Sequence, residues 1–136
     1  MRALGLDMGE KRIGVAISDA LGMTAQRLAV LPHRTPQADA QAVAGLVAEH
    51  GVSVVIVGLP LTLKGLHSQQ TTRVAAFVEV LRAQLTCPVE TMDERLTTVQ
   101  AQRALQETET RHRRGKQLID QMAAQLILQS YLDGQA

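Results

Sequence analysis

Three acidic positions stand out because each interrupts or ends an apolar run. Asp7 follows Leu4-Gly5-Leu6 in a predicted strand, where a carboxylate is costly unless it is paired, hydrogen-bonded or bound to a cation. Asp93 and Glu94 end a later predicted strand, just before a predicted helix. Asp120 lies at the shoulder of the apolar stripe of the last predicted helix. Acids in these places could share a cation.

Each acid also has a purely structural interpretation. Asp7 could accept hydrogen bonds from the turn amides of Gly9 to Lys11, and the two acids at the later strand end could complement a helix dipole. Asp120 could pair with Lys116 at i, i+4. Together, however, the acids suit hard divalent cations, which prefer carboxylate oxygens. Two such ions about 3.5–4 Å apart clamp the attacking and leaving oxygens of a phosphodiester.

The elements that must position these acids begin with strands and then alternate. Apolar alternation and β-branched runs predict strands at 2–7, 12–18, 24–31, 52–57 and 88–92. The glycine-containing turn after the first strand predicts a hairpin. Ala3, Gly5 and Asp7 share one face of the first strand, so small neighbours leave room beside the acid. The order predicts an α/β fold: a mixed five-stranded sheet with an antiparallel N-terminal hairpin region and helices on both faces.

Four helices are predicted between and after these strands. Thr35 and Pro36 predict the start of the first, which Gly51 ends. Thr97 and Gln100 predict a capping box for the third. The apolar positions of the second are Val74, Phe77, Val78, Leu81 and Leu85. Those of the last are Leu118, Ile119, Met122, Ala123, Leu126 and Ile127.

Composition limits what the chain can be. Its 136 residues, 46% of them hydrophobic and 20% charged, predict one globular domain over residues 1–136. No apolar run is long enough to cross a membrane, and the single cysteine, Cys87, excludes an internal disulfide and a cysteine metal cage. A cytoplasmic location is therefore expected. With one Phe, one Tyr and no Trp, the aromatic stacking platforms of single-strand-binding proteins are nearly excluded.

Four segments resemble, in order, the motifs of the YqgF family, which is also called RuvX. They are LGLDMGEKRIGVAISD at 4–19, VGLP at 57–60, DERLTT at 93–98 and KQLID at 116–120, the last extended by Ala123-Ala124 and Tyr131-Leu132. The resemblance covers essentially the whole chain. The first and third segments carry most of its specificity, because Gly-Leu-Pro alone is common.

This resemblance implies a ribonuclease H-like fold, related to Holliday junction resolvases of the RuvC type. The family is described both as a pre-16S rRNA nuclease, acting in ribosome biogenesis, and as a junction resolvase. Asp7, Glu94 and Asp120 match the expected ligands of Mg²⁺ or Mn²⁺, and hence the catalytic residues. The implied activity is two-metal-ion endonucleolytic hydrolysis, with nucleic acid as the partner, a ribosomal precursor among the candidates, and a monomer or homodimer as the assembly.

Cationic residues near the expected site could neutralise backbone phosphates. They are Lys11, Arg12, Lys64, Arg95, Arg111, Arg113, Arg114 and Lys116. Solvation explains Lys11 and Arg12 equally well, and the dense cluster at 111–116 could be a solvated loop. Two other functions stay open: an ATP-binding domain of the actin and sugar-kinase kind, and a non-catalytic module that binds ribosomes or nucleic acid.

Three other groups of residues suggest structural roles. Asp19, after the second strand, is expected to cap a turn rather than bind metal. Cys87 precedes a proline and is expected to be buried rather than reactive. The histidines at 33, 50 and 112 have no metal-binding spacing and receive no role.

Overall fold

The structure is a computed structural model that describes residues 1–61, 66, 68–94 and 113–135, with backbone alone over 113–121. The predicted third helix, at Thr97 and Gln100, lies outside these residues. The described elements are β1 (Arg2–Met8), β2 (Arg12–Ser18), β3 (Ala25–Pro32), α1 (Pro36–His50), β4 (Val52–Leu59), α2 (Gln69–Gln84), β5 (Val89–Asp93) and α3 (Arg113–Gln135).

The five strands form one mixed sheet in the order β3-β2-β1-β4-β5. β1 and β2 pair antiparallel, as do β2 and β3, whereas β4 pairs parallel with both β1 and β5. The predicted mixed sheet with an antiparallel N-terminal hairpin is therefore confirmed. Because β1, β4 and β5 run in the same direction, their carboxyl ends meet at one edge, which we call the C-terminal edge.

Local signals account for the helix ends. Thr35 accepts a hydrogen bond from the Ala38 amide, Pro36 opens α1, and Gly51 ends it at a φ of 63°, which a residue with a side chain rarely adopts. Ser68 caps α2 through a reciprocal capping box with Thr71. The helix predictions hold here, except that α2 ends at Gln84 and leaves Leu85 as its cap.

The two faces of β1 belong to two cores. Leu4, Leu6 and Met8 pack in the core beneath α1 and α2, whereas Ala3 packs with α3. Gly5 allows the closest approach of α3, because a Cβ at residue 5 would lie 2.7 Å from Leu128 Cβ. The predicted sharing of one face by Ala3, Gly5 and Asp7 therefore places Asp7 on the α3 face.

The structure corrects the predicted apolar stripe of the last helix. Met122 and Leu126 are only half-buried, while Ala124, Leu128 and Leu132 are buried with Ala123 and Ile127. The reason is the sheet beneath: small side chains such as Ala3 and Ala16 let the helix backbone approach on its alanine side. Strand bounds also differ from prediction, with β1, β4 and β5 extending one or two residues further along the chain. None of the described helices combines the length and apolar character of a membrane span.

Candidate active site

Asp7 lies one residue before the end of the central strand. It pairs across the sheet with Gly14 of β2, and only 1% of its surface is exposed. A buried carboxylate in a strand costs free energy unless its charge is compensated. The Gly9 amide, which the turn interpretation assigned to Asp7, donates to the Arg12 carbonyl at 2.8 Å. The structure thus puts a carboxylate inside the α3 face of the C-terminal edge.

Glu94 directly follows β5 and is 3% exposed, whereas Asp93, the last residue of β5, is half-buried. The Glu94 side chain lies over Gly58 of the neighbouring strand: a Cβ on residue 58 would be 3.1 Å from Glu94 Oε1. The same Cβ would lie 2.4 Å from Ile127 Cδ1 of α3. Gly58 therefore provides the space that admits the carboxylate on the α3 face.

The register brings the two buried acids to the same level of the sheet. Leu6 pairs with Val57, so Asp7 is level with Gly58 on the next strand. Since adjacent strands lie about 4.8 Å apart, a carboxylate folded over Gly58 reaches from β5 toward β1. Asp7 and Glu94 thus converge over one face of β4, from the strands that flank it.

Asp120 lies on α3 in the part whose side chains are outside the description. Its backbone position can still be located, because Ala124 O would be 3.0 Å from a Cβ on Gly5. Position 120 precedes Ala124 by about one helical turn and so lies on the same face of α3, the face that packs over β1.

The donor set fits a divalent metal ion. Both described acids offer carboxylate oxygens, the ligands that Mg²⁺ and Mn²⁺ prefer, and the absence of a Cβ at Gly58 leaves space beside them. Among the side chains that the structure describes, no group of three or more His, Cys, Asp or Glu is arranged to hold a metal ion. The predicted third ligand, Asp120, is not among those side chains.

Side chains are described for two of the predicted phosphate contacts, Lys11 and Arg12, and both lie at this edge. Lys11 is exposed in the β1–β2 turn and Arg12 is half-buried at the start of β2. An unpredicted cation, Arg73 of α2, reaches the same turn and donates to Gly9 O at 3.4 Å. The other predicted phosphate contacts lie outside the described residues or within the first turns of α3, where no side chain is described: Lys64, Arg95, Arg111, Arg113, Arg114 and Lys116.

Asp19 lies at the opposite edge and caps a turn, as predicted. Its Oδ1 accepts hydrogen bonds from the amides of Met23 at 2.7 Å and Thr24 at 3.3 Å. The Met23 bond is the main reason that the pKa of Asp19 is lowered. Cys87 is half-buried and burial raises the pKa of its thiol, which agrees with the predicted structural role because the protonated thiol is a weak nucleophile.

Two features of this region were missed from the sequence. His33, to which no role was given, contacts the buried Asp39 through Nδ1–Oδ2 at 2.5 Å. The signal was available, because Asp39 follows the predicted N-cap by four residues and so faces back across the first turn. Tyr131 of α3 donates to Glu90 of β5 at 2.9 Å; burial, reinforced by this bond, raises the pKa of the phenol.

Comparison with known proteins shows the family of this chain. The sequence model of the RuvX family, described as a Holliday junction resolvase, matches residues 1–134. A protein of Chloroflexus aggregans named as a pre-16S rRNA nuclease is 49% identical over 130 residues, which are 96% of this chain and 92% of the relative. A Moorella thermoacetica protein of the same name is 49% identical over 133 residues, covering 98% and 95% of the two chains.

Solved structures share the fold at low sequence identity. RuvC of Thermus thermophilus, solved with a Holliday junction substrate, superposes with a TM-score of 0.62 at 15% identity, covering 99% of this chain and 95% of that one. The fowlpox virus Holliday junction resolvase gives 0.56 at 16% identity, covering 98% and 99%. The chain therefore belongs to the RuvX family and is a nuclease with the ribonuclease H-like fold.

Proposed function

We propose that the chain is an endonuclease that requires divalent metal ions, and that its ligands are Asp7, Glu94 and Asp120. The convergence of Asp7 and Glu94 over Gly58 carries this proposal. The place of position 120, about one turn before Ala124 on the face of α3 that packs over β1, supports the third ligand. Mg²⁺ or Mn²⁺, when bound, supplies an activated water and stabilises the leaving oxygen.

The protein residues contribute binding and position. Asp7, on the central strand, would be shared between the metal ions, and Glu94 and Asp120 would each complete the ligand set of one ion. Burial of the first two acids strengthens their attraction for cations, because the local dielectric is low. No side-chain nucleophile is needed in such a mechanism.

Basic residues at the C-terminal edge would hold the nucleic-acid backbone. Lys11 and Arg12 stand at the turn that follows Asp7, and the cluster at 111–116 opens the helix that carries Asp120. Such contacts position a strand without reading its sequence. Residues 1–136 would act together as one nuclease domain.

The relatives' names favour a precursor of 16S rRNA as the substrate. We propose that the enzyme acts at the 5′ end of this precursor, in the cytoplasm. A second candidate is the Holliday junction, which the family description names. Resolution of a junction requires two coordinated cuts and therefore a symmetric dimer, whereas processing of a precursor end requires one active site.

One experiment separates these substrates. Purified protein is incubated with a labelled RNA containing the 5′ precursor segment of 16S rRNA, and separately with a labelled four-way DNA junction, with Mn²⁺ or EDTA. Cleavage of the RNA alone, dependent on Mn²⁺, is expected. Paired symmetric cuts in the junction would favour the second candidate. Failure to cut either substrate with Mn²⁺ present would contradict the proposal.

A further inference from the structure

A concave apolar pocket opens on the other face of the C-terminal edge, beneath α1 and α2. Its volume is about 200 Å³, and it is lined by Met8, His33, Pro36, Arg73, Val74, Ala76 and Phe77. Met8 immediately follows Asp7 in β1, so the pocket and the buried acid belong to the same strand end. None of the lining residues is a proposed metal ligand.

The size and walls of the pocket suit one flat ring system. An apolar cavity of about 150 Å³ holds a benzene ring, so this pocket has room for one heterocycle. Its walls are almost entirely apolar, and Phe77 is the single phenylalanine of the chain. A planar base that leaves its stack recovers apolar contact in such a place.

The rim of the pocket carries positive or polar groups. Asp39 fixes the His33 ring through Nδ1 and also accepts from the Arg34 amide at 3.0 Å. The His33 amide donates to Lys11 O at 2.9 Å, which ties this rim to the β1–β2 turn. On the opposite side the exposed Arg73 reaches the carbonyl of Gly9 in that turn. A phosphate beside a bound base would therefore meet Arg73.

We propose that this pocket receives one unstacked nucleobase of the substrate strand, with Arg73 contacting the adjacent phosphate. The inference rests on the proposed function, because it takes a nucleic-acid strand as the ligand. A base held beside the end of β1 would fix the position of the strand relative to Asp7. Enzymes that modify a base hold it, extruded from its stack, between apolar and aromatic side chains.

The test measures binding without cleavage, in the absence of divalent metal. Ala76→Phe fills the pocket from an exposed helical position, and Ala83→Phe is its matched control, two turns later on the same helix and also exposed. The probes are a labelled single-stranded RNA and a labelled base-free strand of equal length and charge. Wild type and Ala83→Phe should prefer the RNA by about 10-fold, which corresponds to roughly 60 Å² of base surface removed from water. Ala76→Phe should lose this preference and keep its affinity for the base-free strand.

A second pair of variants tests the phosphate contact. Arg73→Ala should weaken binding of both strands alike, whereas Arg27→Ala, which removes the same charge from an exposed position in β3, should weaken neither. Equal preference for RNA in Ala76→Phe and Ala83→Phe would overturn the pocket assignment. If a free mononucleotide binds tightly and Ala76→Phe abolishes this binding, the pocket receives a free nucleotide and not a base of the substrate strand, which would overturn the proposal.

Metal-dependent cleavage of the same RNA is measured in parallel. Unchanged RNA preference in Ala76→Phe together with intact Mn²⁺-dependent cleavage would overturn the pocket alone. No binding and no cleavage by the wild type would overturn the proposed function as well.

Discussion

Asp7 and Asp19 end neighbouring antiparallel strands, yet the fold treats them in opposite ways. Asp19 lies at a solvent-facing turn, where two backbone amides satisfy its carboxylate. Asp7 is enclosed beneath α3, at a level where Gly58 admits a second carboxylate. The comparison shows that the surroundings of an acid at a strand end decide its role. Asp7 has buried small residues and a second acid beside it, whereas Asp19 has backbone amides and water.

The strongest way to break this comparison is to neutralise each acid in turn. Asp7→Asn should lower cleavage by more than the roughly 10- to 100-fold that loss of an outer-shell partner costs. Stability without metal should hold or rise, because repulsion among the acids is reduced. Asp19→Asn should leave cleavage near the wild-type rate. Gel assays with Mn²⁺ measure both, and wild-type activity in purified Asp7→Asn would refute the metal-site assignment.

A second test changes the space beside the acids rather than the acids. Gly58→Ala should lower activity by displacing the Glu94 carboxylate, and overpacking against Ile127 should cost about 1–3 kcal/mol of stability. Adding Ile127→Val removes the Cδ1 atom 2.4 Å from the new methyl. The double variant should recover stability but not cleavage, as thermal melting and Mn²⁺-dependent assays would show. Full recovery of both would mean that Gly58 serves only helix packing.

Mn²⁺ should raise the melting temperature through the acids near Asp7 and not through Asp19. A tenfold excess of Mn²⁺ over its Kd stabilises the folded state by about 1.4 kcal/mol, which is about 5 °C for a chain of this size. Glu94→Gln should reduce the shift and Asp19→Asn should preserve it. A shift that both variants retain in full would locate the ion elsewhere.

The smallest expected effect concerns acid stability. The pKa of Asp19 is lowered in the folded state, so its contribution is present above its unfolded pKa, near 3.8, and is lost as pH falls through the folded value. Wild type should therefore lose slightly more stability than Asp19→Asn below about pH 4. Urea unfolding across that range measures the difference, and parallel curves would show that the turn gains nothing from the charge.

Local signals predict much of this fold, and non-local packing explains what they miss. Thr35, Pro36 and Gly51 bound α1 correctly because capping depends on adjacent residues. The role of Gly58 depends on the register between β4 and β5 and on the approach of α3, which no local pattern contains.

The candidate site divides in the same way. The residue types and the family motif predict Asp7 and Glu94, and the structure adds their burial and common face. Asp120 remains a prediction from sequence, supported by its place about one turn before Ala124 on the same face of α3. The pairing of His33 with Asp39 was missed because a search for metal spacing does not consider a histidine that faces the first turn of a helix.

The packing of α3 also has a consequence for synthesis. Its Gln125 and Gln129 side chains bond both backbone groups of Ala25, across a separation of about one hundred residues. During translation, β1–β4 can pair long before residues 113–135 leave the ribosome, and non-local closure of this kind is slow. A nascent chain would thus carry a sheet whose α3 face is uncovered and would lack the proposed ligand Asp120. We therefore expect cleavage activity to appear only after α3 has packed on the sheet, so that an incomplete chain does not cleave nearby RNA.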